Sequence, residues 1–407
     1  MEKHALILTT TNDFLWKFER ENVKILQRLG YVVHYAANMR EPHYVCDEEK
    51  IKQMGVWTHH LDIARSPFLV RQNQNALRRL LGLIQEYGIQ VLHCHTPVGG
   101  LLGRLAGKWS RSANPIVIYT AHGFHFYRGA PAVNHLLYFP VERLLARDTD
   151  ILIVINEEDY RNALKFRMRR GSKVFQIPGV GLDMAEYRPL SAEQKRELRE
   201  RLGIAPAELF LVSVGELNEN KNHRLVLEAL GKLLRKYPDC SIRYGICGDG
   251  FLRSRLEQWI RDDKLGNRVT LYGYCPNVPE ILGCADAAVF PSKREGLGMA
   301  GLEALAMGIP LIASDNRGTR EYMKNGVNGF VFPNDNVEGL MKGIEALMSM
   351  DAGQTSAMAA RCVQSAQPFD QKYTNAAMRE IYADVDRRVT REIFQKYGEN
   401  QHYHGCV

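Results

Sequence analysis

The chain has 407 residues, of which 45% are hydrophobic and 24% are charged. These values are typical of globular proteins, and they exclude a disordered chain, a collagen-like repeat and a disulfide-stapled miniprotein. Residues 1–180 hold 24 lysines and arginines against 16 acidic residues, whereas the remainder holds 29 against 30, so the formal net charge of +7 arises in the first half. We therefore expect two domains, of which the first faces any acidic ligand or surface.

Strand and helix patterns alternate through the first half. Residues 5–8 form an apolar run, residues 19–29 carry apolar side chains at helical spacing, and residues 31–37 are rich in β-formers. The same alternation predicts strands at residues 90–94, 116–120, 151–155 and 174–177, and helices at residues 75–87 and 98–109. Continuous apolar strands that alternate with helices are typical of a parallel sheet covered on both faces.

The pattern restarts after residues 178–183. Ser191 and Gln194 form a capping box for a helix over residues 191–202, and a second series of elements follows. In this series, strands are predicted at residues 209–214, 242–247, 269–273, 287–291, 310–313 and 329–332, and helices at residues 224–236, 253–262, 299–307, 337–350 and 371–387.

These elements predict an α/β protein with two doubly wound Rossmann-like domains that face a central cleft. We expect the first domain to comprise residues 1–185 and the second to comprise residues 186–366. Residues 367–390 are expected to form a helix that packs back on the first domain, and residues 391–407 are expected to form a polar, frayed tail. Ligands of such sheets bind outside the carboxyl ends of the strands.

The cysteines contain no C-x-x-C pair and no neighbouring histidine at zinc-finger spacing. The sequence therefore predicts neither a metal site nor a disulfide framework, and a reducing cytoplasm is the expected compartment. No apolar run approaches the roughly 20 residues that span a bilayer, so we expect a soluble or peripheral protein. The eight cysteines are Cys46, Cys94, Cys240, Cys247, Cys275, Cys284, Cys362 and Cys406.

The stretch from Pro291 to Pro310 combines a strand end, a glycine-containing loop and a helix start. Backbone N–H groups at such a helix start, together with the helix dipole, favour a phosphate. Glu295 lies in the loop and Glu303 lies about one turn inside the helix, so both are expected at the same strand-end crevice. Their carboxylates suit the hydroxyl donors of a sugar or ribose. The simpler alternative is one capping acid and one solvated acid.

This stretch resembles the E-x7-E motif of the retaining glycosyltransferases of family 4, which have the GT-B fold. In that family the first glutamate binds hydroxyls of the donor sugar and the second binds the nucleotide ribose, which implies these roles for Glu295 and Glu303. Residues 309–323 and 325–333 resemble the family's next strand, its glycine turn and its closing x-G-x-x-G-x-x-x-P segment. The resemblance spans residues 3–390. Further donor contacts are expected from Gly296, Leu297, Gly298 and Met299.

A second matching segment follows the strand predicted at residues 209–214. Family members commonly have G-R-L there, followed shortly by K-G, and the arginine and lysine neutralise the donor diphosphate. Gly215 and Lys221 match this pattern, but Glu216 replaces the arginine. The positive charge must therefore come from Lys221 and the helix start, with Arg317 or Arg320 as candidate helpers, or donor binding is weaker than is typical.

Gly248 and Gly250 also follow a predicted strand. A G-x-G sequence without a third glycine is a poor dinucleotide fingerprint, so a tight turn is an equally good interpretation. In the resembled family this G-x-G borders the base pocket together with the segment that corresponds to residues 272–277, which implies base contacts from Gly248, Gly250 and Tyr274.

Loops after the first-half strands carry the candidate acceptor-side residues. The family has a histidine near the donor sugar and phosphate at the end of the strand predicted at residues 116–120, and His122 matches it. An imidazole there can orient the transferred sugar and stabilise departing charge. Ordinary turn packing is the alternative for each residue of the acceptor-side loops. The acceptor-side candidates are Thr11, Asn12, His95, Thr96 and His125.

Arg104, Lys108 and Arg111 stand at positions i, i+4 and i+7, which predicts a basic face on one helix. A solvated helix face is the default interpretation. A basic first domain also fits a peripheral enzyme whose acceptor is a lipid-linked sugar in an anionic membrane, because each surface basic group contributes about 1 kcal/mol there.

Our leading hypothesis is a metal-independent hexosyl- or N-acetylhexosaminyltransferase with Glu295, His122 and Lys221 as catalytic residues. No D-x-D pair stands at a strand end to hold a metal, and the nucleotide sugar is a substrate, so no cofactor is expected. The loops around His122 and Lys221 look most like those of members that build capsular or exopolysaccharide units on a polyprenyl carrier. This resemblance implies a UDP-sugar donor, a lipid-linked acceptor and a place at the inner face of the cell membrane.

Two alternatives remain open from the sequence. A nucleotide-sugar 2-epimerase also has two such domains, although the E-x7-E spacing with Lys221 argues against it. A nucleic-acid-binding protein would explain the basic half. However, acidic clusters at residues 47–49 and 157–159 interrupt that half, and no motif of a known module is present, so no nucleic-acid partner is expected.

Overall fold

A computed structural model of the protein describes residues 2–40, 48–110 and 113–402, the last seven by their backbone alone. The chain divides into two compact units, which are residues 1–180 with 372–407, and residues 181–371. Each unit is an α/β fold on a parallel sheet, so the prediction of two doubly wound Rossmann-like domains is confirmed.

The first unit has seven described strands and the helices that connect them. The strands are β1 (Lys3–Thr11), β2 (Tyr31–Asn38), β3 (Trp57–His60), β4 (Val91–His95), β5 (Ile116–Ala121), β6 (Ile151–Val154) and β7 (Lys173–Gln176). The helices are α1 (Arg20–Arg28), α2 (Glu48–Gln53), α3 (Val70–Glu86), α4 (Pro97–Trp109), α5 (Ala132–Leu145) and α6 (Glu157–Ala163). The strands are ordered β3-β2-β1-β4-β5-β6-β7, so the order reverses between β1 and β4.

The second unit repeats this plan with six described strands. It contains α7 (Ala192–Arg201), β8 (Leu209–Val214), α8 (His223–Lys236), β9 (Ile242–Cys247), α9 (Arg253–Asp262), β10 (Val269–Gly273), α10 (Val278–Gly283), β11 (Ala287–Phe290), α11 (Met299–Ala306), β12 (Leu311–Ser314), β13 (Gly329–Phe332), α12 (Val337–Met348) and α13 (Ala352–Ala366). The order is β10-β9-β8-β11-β12-β13, which reverses between β8 and β11.

The unit boundaries fall a few residues from the values of 185 and 366 drawn from the sequence. Within the second unit, Leu182 N–H donates to the Phe369 carbonyl at 2.8 Å and Gln371 N–H donates to the Leu182 carbonyl at 2.9 Å. This pairing joins segments that are far apart along the chain, and therefore no local sequence pattern marks it.

The last helix, α14 (Gln371–His402), belongs from Lys372 onward to the first unit. Lys3 Nζ of β1 lies 2.7 Å from Asp386 Oδ1, and His93 Nδ1 of β4 lies 2.6 Å from the Tyr382 hydroxyl. The sequence predicted an end near residue 387, because the following residues are polar. The helix instead continues to His402, since exposed polar side chains are compatible with a helix surface.

Arg104 corrects the prediction of a basic face on α4. Its side chain is 1% exposed, its guanidinium donates to both carboxylate oxygens of Glu142 at 2.7 and 3.1 Å, and it stacks 4.0 Å from the centre of the Tyr119 ring. Lys108 pairs with Asp148 at 3.0 Å. Arg111 lies outside the described residues. A helical charge spacing alone does not distinguish a solvated arginine from a buried one, which explains the error.

Several elements were missed because their signal is weak or lies in tertiary contacts. The short strand β3 is largely polar, and α13 carries its buried residues among alanines and polar side chains. A π-helix at Leu15–Glu19 precedes α1. The cysteines within the described residues are free thiols, and Cys46 and Cys406 lie outside them.

Helix α5, also missed, leaves an apolar face exposed. Its exposed apolar side chains recur at three- and four-residue steps, which places them on one side of the helix. They are Val133, Leu136, Leu137, Val141 and Leu144, with exposed fractions of 43 to 74%. Within the described ranges, no helix combines the length and apolarity needed to cross a bilayer.

Candidate active site

The predicted donor motifs of the second unit follow β8 and β11, the two strands between which the order reverses. In an open parallel sheet the loops on either side of such a reversal run in opposite directions and leave a crevice at the carboxyl ends of the strands. Lys221 lies in the loop after β8, and Glu295 lies in the loop after β11.

Lys221 and Glu295 form an ion pair at this point. Lys221 Nζ lies 2.7 Å from Glu295 Oε1, and the two side chains are only 20% and 14% exposed. The aliphatic part of Lys221 lies against Gly215, where an added Cβ would come within 3.1 Å of the lysine Cε. The ammonium also lies 5.1 Å from the centre of the Phe290 ring. The crevice therefore holds the Lys221 ammonium, and a phosphate group can replace the Glu295 carboxylate as its partner.

The loop that carries Glu295 is held by contacts from the segment after β12. Arg317 Nε donates to the Glu295 carbonyl at 3.1 Å, and the Tyr322 hydroxyl donates to the Gly298 carbonyl at 3.1 Å. Gly298 has φ +89°, a conformation that favours glycine, directly before α11. The first two N–H groups of α11, those of Met299 and Ala300, have no acceptor within the helix, whereas Gly301 N–H donates to the Gly298 carbonyl at 3.0 Å. Leu297 is buried in this loop.

Both glutamates of the E-x7-E spacing lie near one buried phenol. Burial raises the pKa of Tyr322 well above its ordinary value, and the negative charges of Glu295 and Glu303 raise it further. Sequence reasoning did not single out Tyr322, although it lies in the segment that resembles the family's glycine turn. The Tyr322 hydroxyl therefore keeps its proton and donates it to the Gly298 carbonyl, directly before α11.

The position of the family arginine carries a negative charge in this chain. The Glu216 carboxylate accepts a hydrogen bond from Asn218 Nδ2 at 3.0 Å. Of the two candidate helpers, Arg320 is about half exposed and binds both carboxylate oxygens of Asp315, whereas Arg317 is buried and contacts the Glu295 carbonyl. Lys221 contacts the Glu295 carboxylate itself, at 2.7 Å.

Gly248 and Gly250 allow the loop after β9 to pack on the loop after β8. An added Cβ at Gly248, which has φ +151°, would collide with the Gly215 carbonyl, and one at Gly250 would lie 2.6 Å from the Leu217 carbonyl. This packing agrees with the interpretation as a tight turn, and contact with a nucleotide base stays a prediction. Tyr274 is 52% exposed.

Four of the five acceptor-side candidates lie at the ends of β1 and β4, where the strand order of the first unit reverses, and His125 follows β5. Thr10 Oγ1, near the carboxyl end of β1, lies 2.6 Å from Thr96 Oγ1 in the loop after β4, and this contact joins the two segments. Thr96 has φ +63° and ψ 157°, and its hydroxyl accepts a hydrogen bond from Gly99 N–H at the start of α4. A β-branched residue rarely adopts this backbone conformation, and such strain is concentrated at functional sites.

Hydrogen bonds with Tyr35 of β2 and with the residue that follows β2 hold Thr11 and Asn12 at the end of β1. The Tyr35 hydroxyl donates to the Thr11 carbonyl at 2.7 Å, and Asn12 Nδ2 donates to the Met39 carbonyl at 3.3 Å. Asn12 Oδ1 is buried and has no hydrogen-bond partner among the described residues. Asn12 therefore offers one unsatisfied acceptor at this edge of the sheet.

His122 lies beside His95. His95 Nδ1 is 3.2 Å from His122 Nε2, and the Phe14 ring packs within 5.5 Å of both imidazoles. Burial lowers the pKa of His122 to about 4. Burial and the neighbouring imidazoles lower the pKa of the fully buried His95 well below its ordinary value. Both rings are therefore neutral near pH 7. His125 instead stacks on Tyr138, with ring centres 4.5 Å apart.

Glu19 and His93 complete this cluster, and sequence reasoning missed both. Glu19 is 2% exposed at the end of the π-helix, and its Oε2 lies 3.4 Å from His95 Nε2. Burial raises the pKa of Glu19 to about 8, against the opposite effect of a hydrogen bond from Asn22. The available signal was the two-residue spacing of His93 and His95, which puts both imidazoles on one face of β4.

Ligand atoms of Glu19, His93 and His95 lie within 4.8 Å of one another, the spacing of a possible metal site. However, both ring nitrogens of His93 already have hydrogen-bond partners, the Tyr382 hydroxyl at 2.6 Å and Thr120 Oγ1 at 2.8 Å. A metal would have to displace one of them from a fully buried position. The donor set therefore fits a hydrogen-bonded cluster better than a metal centre.

Two family models match the chain. The Glycosyl transferase 4-like domain matches residues 17–178, and Glycosyl transferases group 1 matches residues 194–367. The chain is 38% identical to "Putative glycosyltransferase EpsD" of Bacillus subtilis (strain 168), over 85% of this chain and 88% of that protein. It is 29% identical to the UDP-Gal:alpha-D-GlcNAc-diphosphoundecaprenol alpha-1,3-galactosyltransferase of Escherichia coli, over 72% of this chain and 77% of that protein.

The fold is also similar to that of solved structures. Anabaena Alr3699/HepE in complex with UDP and glucose superimposes with a TM-score of 0.74 at 18% identity, over 94% of this chain and 100% of that chain. WaaG, a glycosyltransferase involved in lipopolysaccharide biosynthesis, superimposes with a TM-score of 0.70 at 15% identity, over 93% and 99% of the two chains. At these identities the likeness concerns the fold alone.

Proposed function

Because the chain belongs to glycosyltransferase family 4 and has the GT-B fold, we propose that it transfers a sugar from a nucleotide-diphosphate sugar to a lipid-linked saccharide with retention of configuration. The acceptor in this proposal is an intermediate of a cell-surface polysaccharide, and the transferred sugar is a hexose or an N-acetylhexosamine. The donor is held by residues 186–366 and the acceptor by residues 1–185.

The observation that carries this proposal is the Lys221–Glu295 ion pair beside the start of α11. When the donor binds, its diphosphate attracts the Lys221 ammonium and the free N–H groups around residues 297–299, and Glu295 becomes available for the sugar hydroxyls. Negative charge grows on the diphosphate as the glycosidic bond breaks. Lys221 and the helix start stabilise that charge without a metal ion, and Glu303 binds the ribose.

UDP is the proposed nucleotide. The name of the Escherichia coli relative specifies a UDP-galactose donor and a diphosphoundecaprenol-linked acceptor, and the Anabaena structure contains UDP. In the first domain, we assign His122 to the donor sugar and its phosphate. The segments that contain Thr11, Asn12, Thr96 and His125 are assigned to the acceptor. His95 is 0% exposed, so it is assigned to the support of His122 instead.

A panel of nucleotide sugars tests the donor assignment. A ligand at about 100 times its dissociation constant stabilises the folded state by about 2.7 kcal/mol, so a UDP-sugar is expected to raise the melting temperature more than other nucleotide sugars do. Lys221→Ala is expected to lower kcat/KM by about 100-fold, because one charge that stabilises the departing diphosphate is lost. The matched control is Lys232→Ala, which removes an exposed lysine paired with Glu338.

The proposal fails if no nucleotide sugar stabilises the protein, or if Lys232→Ala and Lys221→Ala are equally impaired. Release of an isomerised sugar without any acceptor would indicate an epimerase. Stabilisation by RNA or DNA alone would indicate a nucleic-acid-binding protein.

We also propose that the protein works at the inner face of the cell membrane and that α5 contacts an anionic bilayer. The exposed face of α5 is apolar, Arg143 and Arg147 lie at its C-terminal end, and the first half carries the whole basic excess of the chain. Apolar side chains that enter the lipid boundary and basic groups that face anionic headgroups act together in interfacial helices.

Vesicle flotation tests this surface. We expect Leu136→Glu/Leu144→Glu to reduce binding to vesicles with anionic lipid by at least about tenfold, because burial of each leucine contributes about 1.5–3 kcal/mol. Phe251→Glu is the matched control, since Phe251 is an equally exposed apolar residue of the second unit. Binding of the double variant at the level of wild type would exclude α5 as the membrane contact.

A further inference from the structure

A chain of three polar side chains begins in the interior of the first unit and ends at a half-buried imidazole. It consists of Glu19, His95 and His122, in that order. Glu19 Oε2 lies 3.4 Å from His95 Nε2, and His95 Nδ1 lies 3.2 Å from His122 Nε2. His95 is 0% exposed and Glu19 is 2% exposed, so water does not compete for these atoms. Each imidazole is neutral near pH 7 and thus carries one proton, on one of its two nitrogens.

The positions of these protons follow from the protonation of Glu19. Burial raises the pKa of Glu19 to about 8, so the carboxyl group carries a proton at pH 7 and must donate it. His95 Nε2 makes no hydrogen bond within the described structure and is the acceptor next to it. If His95 Nε2 accepts, the proton of His95 is on Nδ1 and is donated to His122 Nε2. The proton of His122 is then on Nδ1.

We propose that Glu19 and His95 are positioning residues that hold His122 in the tautomer protonated on Nδ1, so that His122 meets the substrate as a hydrogen-bond donor. This inference rests on the proposed role of His122 at the donor sugar and phosphate. Negative charge grows on the departing phosphate during the proposed reaction. A neutral imidazole that donates a hydrogen bond stabilises the phosphate oxygen without removing a proton from the hydroxyl of the acceptor saccharide.

The relay reverses when Glu19 ionises. Above about pH 8, Glu19 releases its proton to solvent, and the carboxylate favours a proton on His95 Nε2. His95 Nδ1 then becomes an acceptor, His122 Nε2 carries the proton of His122, and Nδ1 of His122 no longer donates. Within the described residues, the titratable groups near Glu19 are His93 and His95 of β4 and Tyr382 of α14. Two cations of the neighbouring helices, Arg20 of α1 and Lys50 of α2, lie over the Trp16 ring instead.

A pH profile of kcat between about pH 6 and about pH 10 tests this relay. For wild type we expect kcat to fall by about tenfold per pH unit above pH 8. Glu19→Gln retains an N–H donor for His95 Nε2 but cannot ionise, so we expect a reduction of only about two- to fivefold at pH 7 and no alkaline fall. Glu19→Leu has no donor, and we expect at least about 50-fold lower kcat at pH 7 with donor KM nearly unchanged.

The matched control is Glu21→Gln, since Glu21 pairs with Lys24 on the surface of α1; we expect its kcat and pH profile to match those of wild type. The relay is wrong if Glu19→Gln keeps the alkaline fall, or if Glu19→Gln and Glu19→Leu are equally impaired at pH 7.

Nitrogen NMR of histidine-labelled protein gives a readout that needs no turnover. We expect the His122 proton on Nδ1 at pH 7, and a proton on Nε2 overturns the relay even if the proposed transfer reaction is correct. Conversely, if the histidines have the expected tautomers but the protein transfers no sugar, the proposed function is wrong and the relay is not.

Discussion

Glu295→Gln is expected to lower kcat for sugar transfer by about 1,000-fold, with a smaller change in donor KM. The carboxylate has two tasks in the proposed reaction. It accepts hydrogen bonds from the donor sugar, and in the free enzyme it holds the Lys221 ammonium at 2.7 Å in the position where the diphosphate will bind. The amide keeps the shape of the side chain but loses the charge, and it presents donors where the sugar hydroxyls require acceptors.

Steady-state kinetics with the donor identified by the melting-temperature panel measures this effect. Glu219→Gln is the matched control, because Glu219 lies in the loop after β8 and is 66% exposed. Glu303→Gln is expected to raise donor KM more than it lowers kcat, since ribose contacts are the same in the ground state and the transition state. Wild-type kcat for Glu295→Gln would remove Glu295 from the active site.

Arg104→Met is expected to lower the free energy of unfolding of the first unit by about 3–5 kcal/mol. The guanidinium is 1% exposed and binds Glu142 with two hydrogen bonds and the Gly100 carbonyl with a third, at 2.8 Å. Without it, the Glu142 carboxylate stays partly buried with no countercharge. Lys108→Met provides the comparison, because Lys108 is 48% exposed and such pairs contribute about 0–1 kcal/mol.

Urea denaturation followed by tryptophan fluorescence measures this loss. The four tryptophans are Trp16, Trp57, Trp109 and Trp259, and only Trp259 lies in the second unit. A Trp259→Phe background therefore reports the first unit. Arg104→Met/Glu142→Leu is expected to recover most of the lost stability, because the double change removes both charges. Equal losses for Arg104→Met and Lys108→Met would contradict the assignment of a buried ion pair.

Local patterns were enough to predict most strands and the helix start at Ser191. The capping box of Ser191 and Gln194 needs only neighbouring residues, and the structure contains it. Parallel strands buried on both faces are continuous apolar runs, so β8 was predicted at residues 209–214 with the bounds it has in the structure. The placement of Lys221 and Glu295 after β8 and β11 also followed from the strand and loop pattern.

Contacts between distant segments could not be predicted in the same way. Glu19 stands beside His95 only because β1 and β4 are adjacent in the sheet, and a glutamate in a helical pattern is usually exposed. Arg104 has the spacing of a surface residue, and its burial depends on Glu142 of another helix. Whether a charge is solvated or buried is decided by its partner, which the local sequence does not identify.

The assignment of α14 to the first unit has a consequence for synthesis. A ribosome releases the chain from its amino terminus, so the sheet of residues 1–180 emerges before residues 181–371. Tyr382 and Asp386, the partners of His93 and Lys3, emerge after both. The first unit to leave the ribosome is thus the last to be completed. Until residues 181–371 have emerged, the nascent sheet of the first unit lacks the helix that supplies the partners of His93 and Lys3, whereas the second unit is contiguous in sequence.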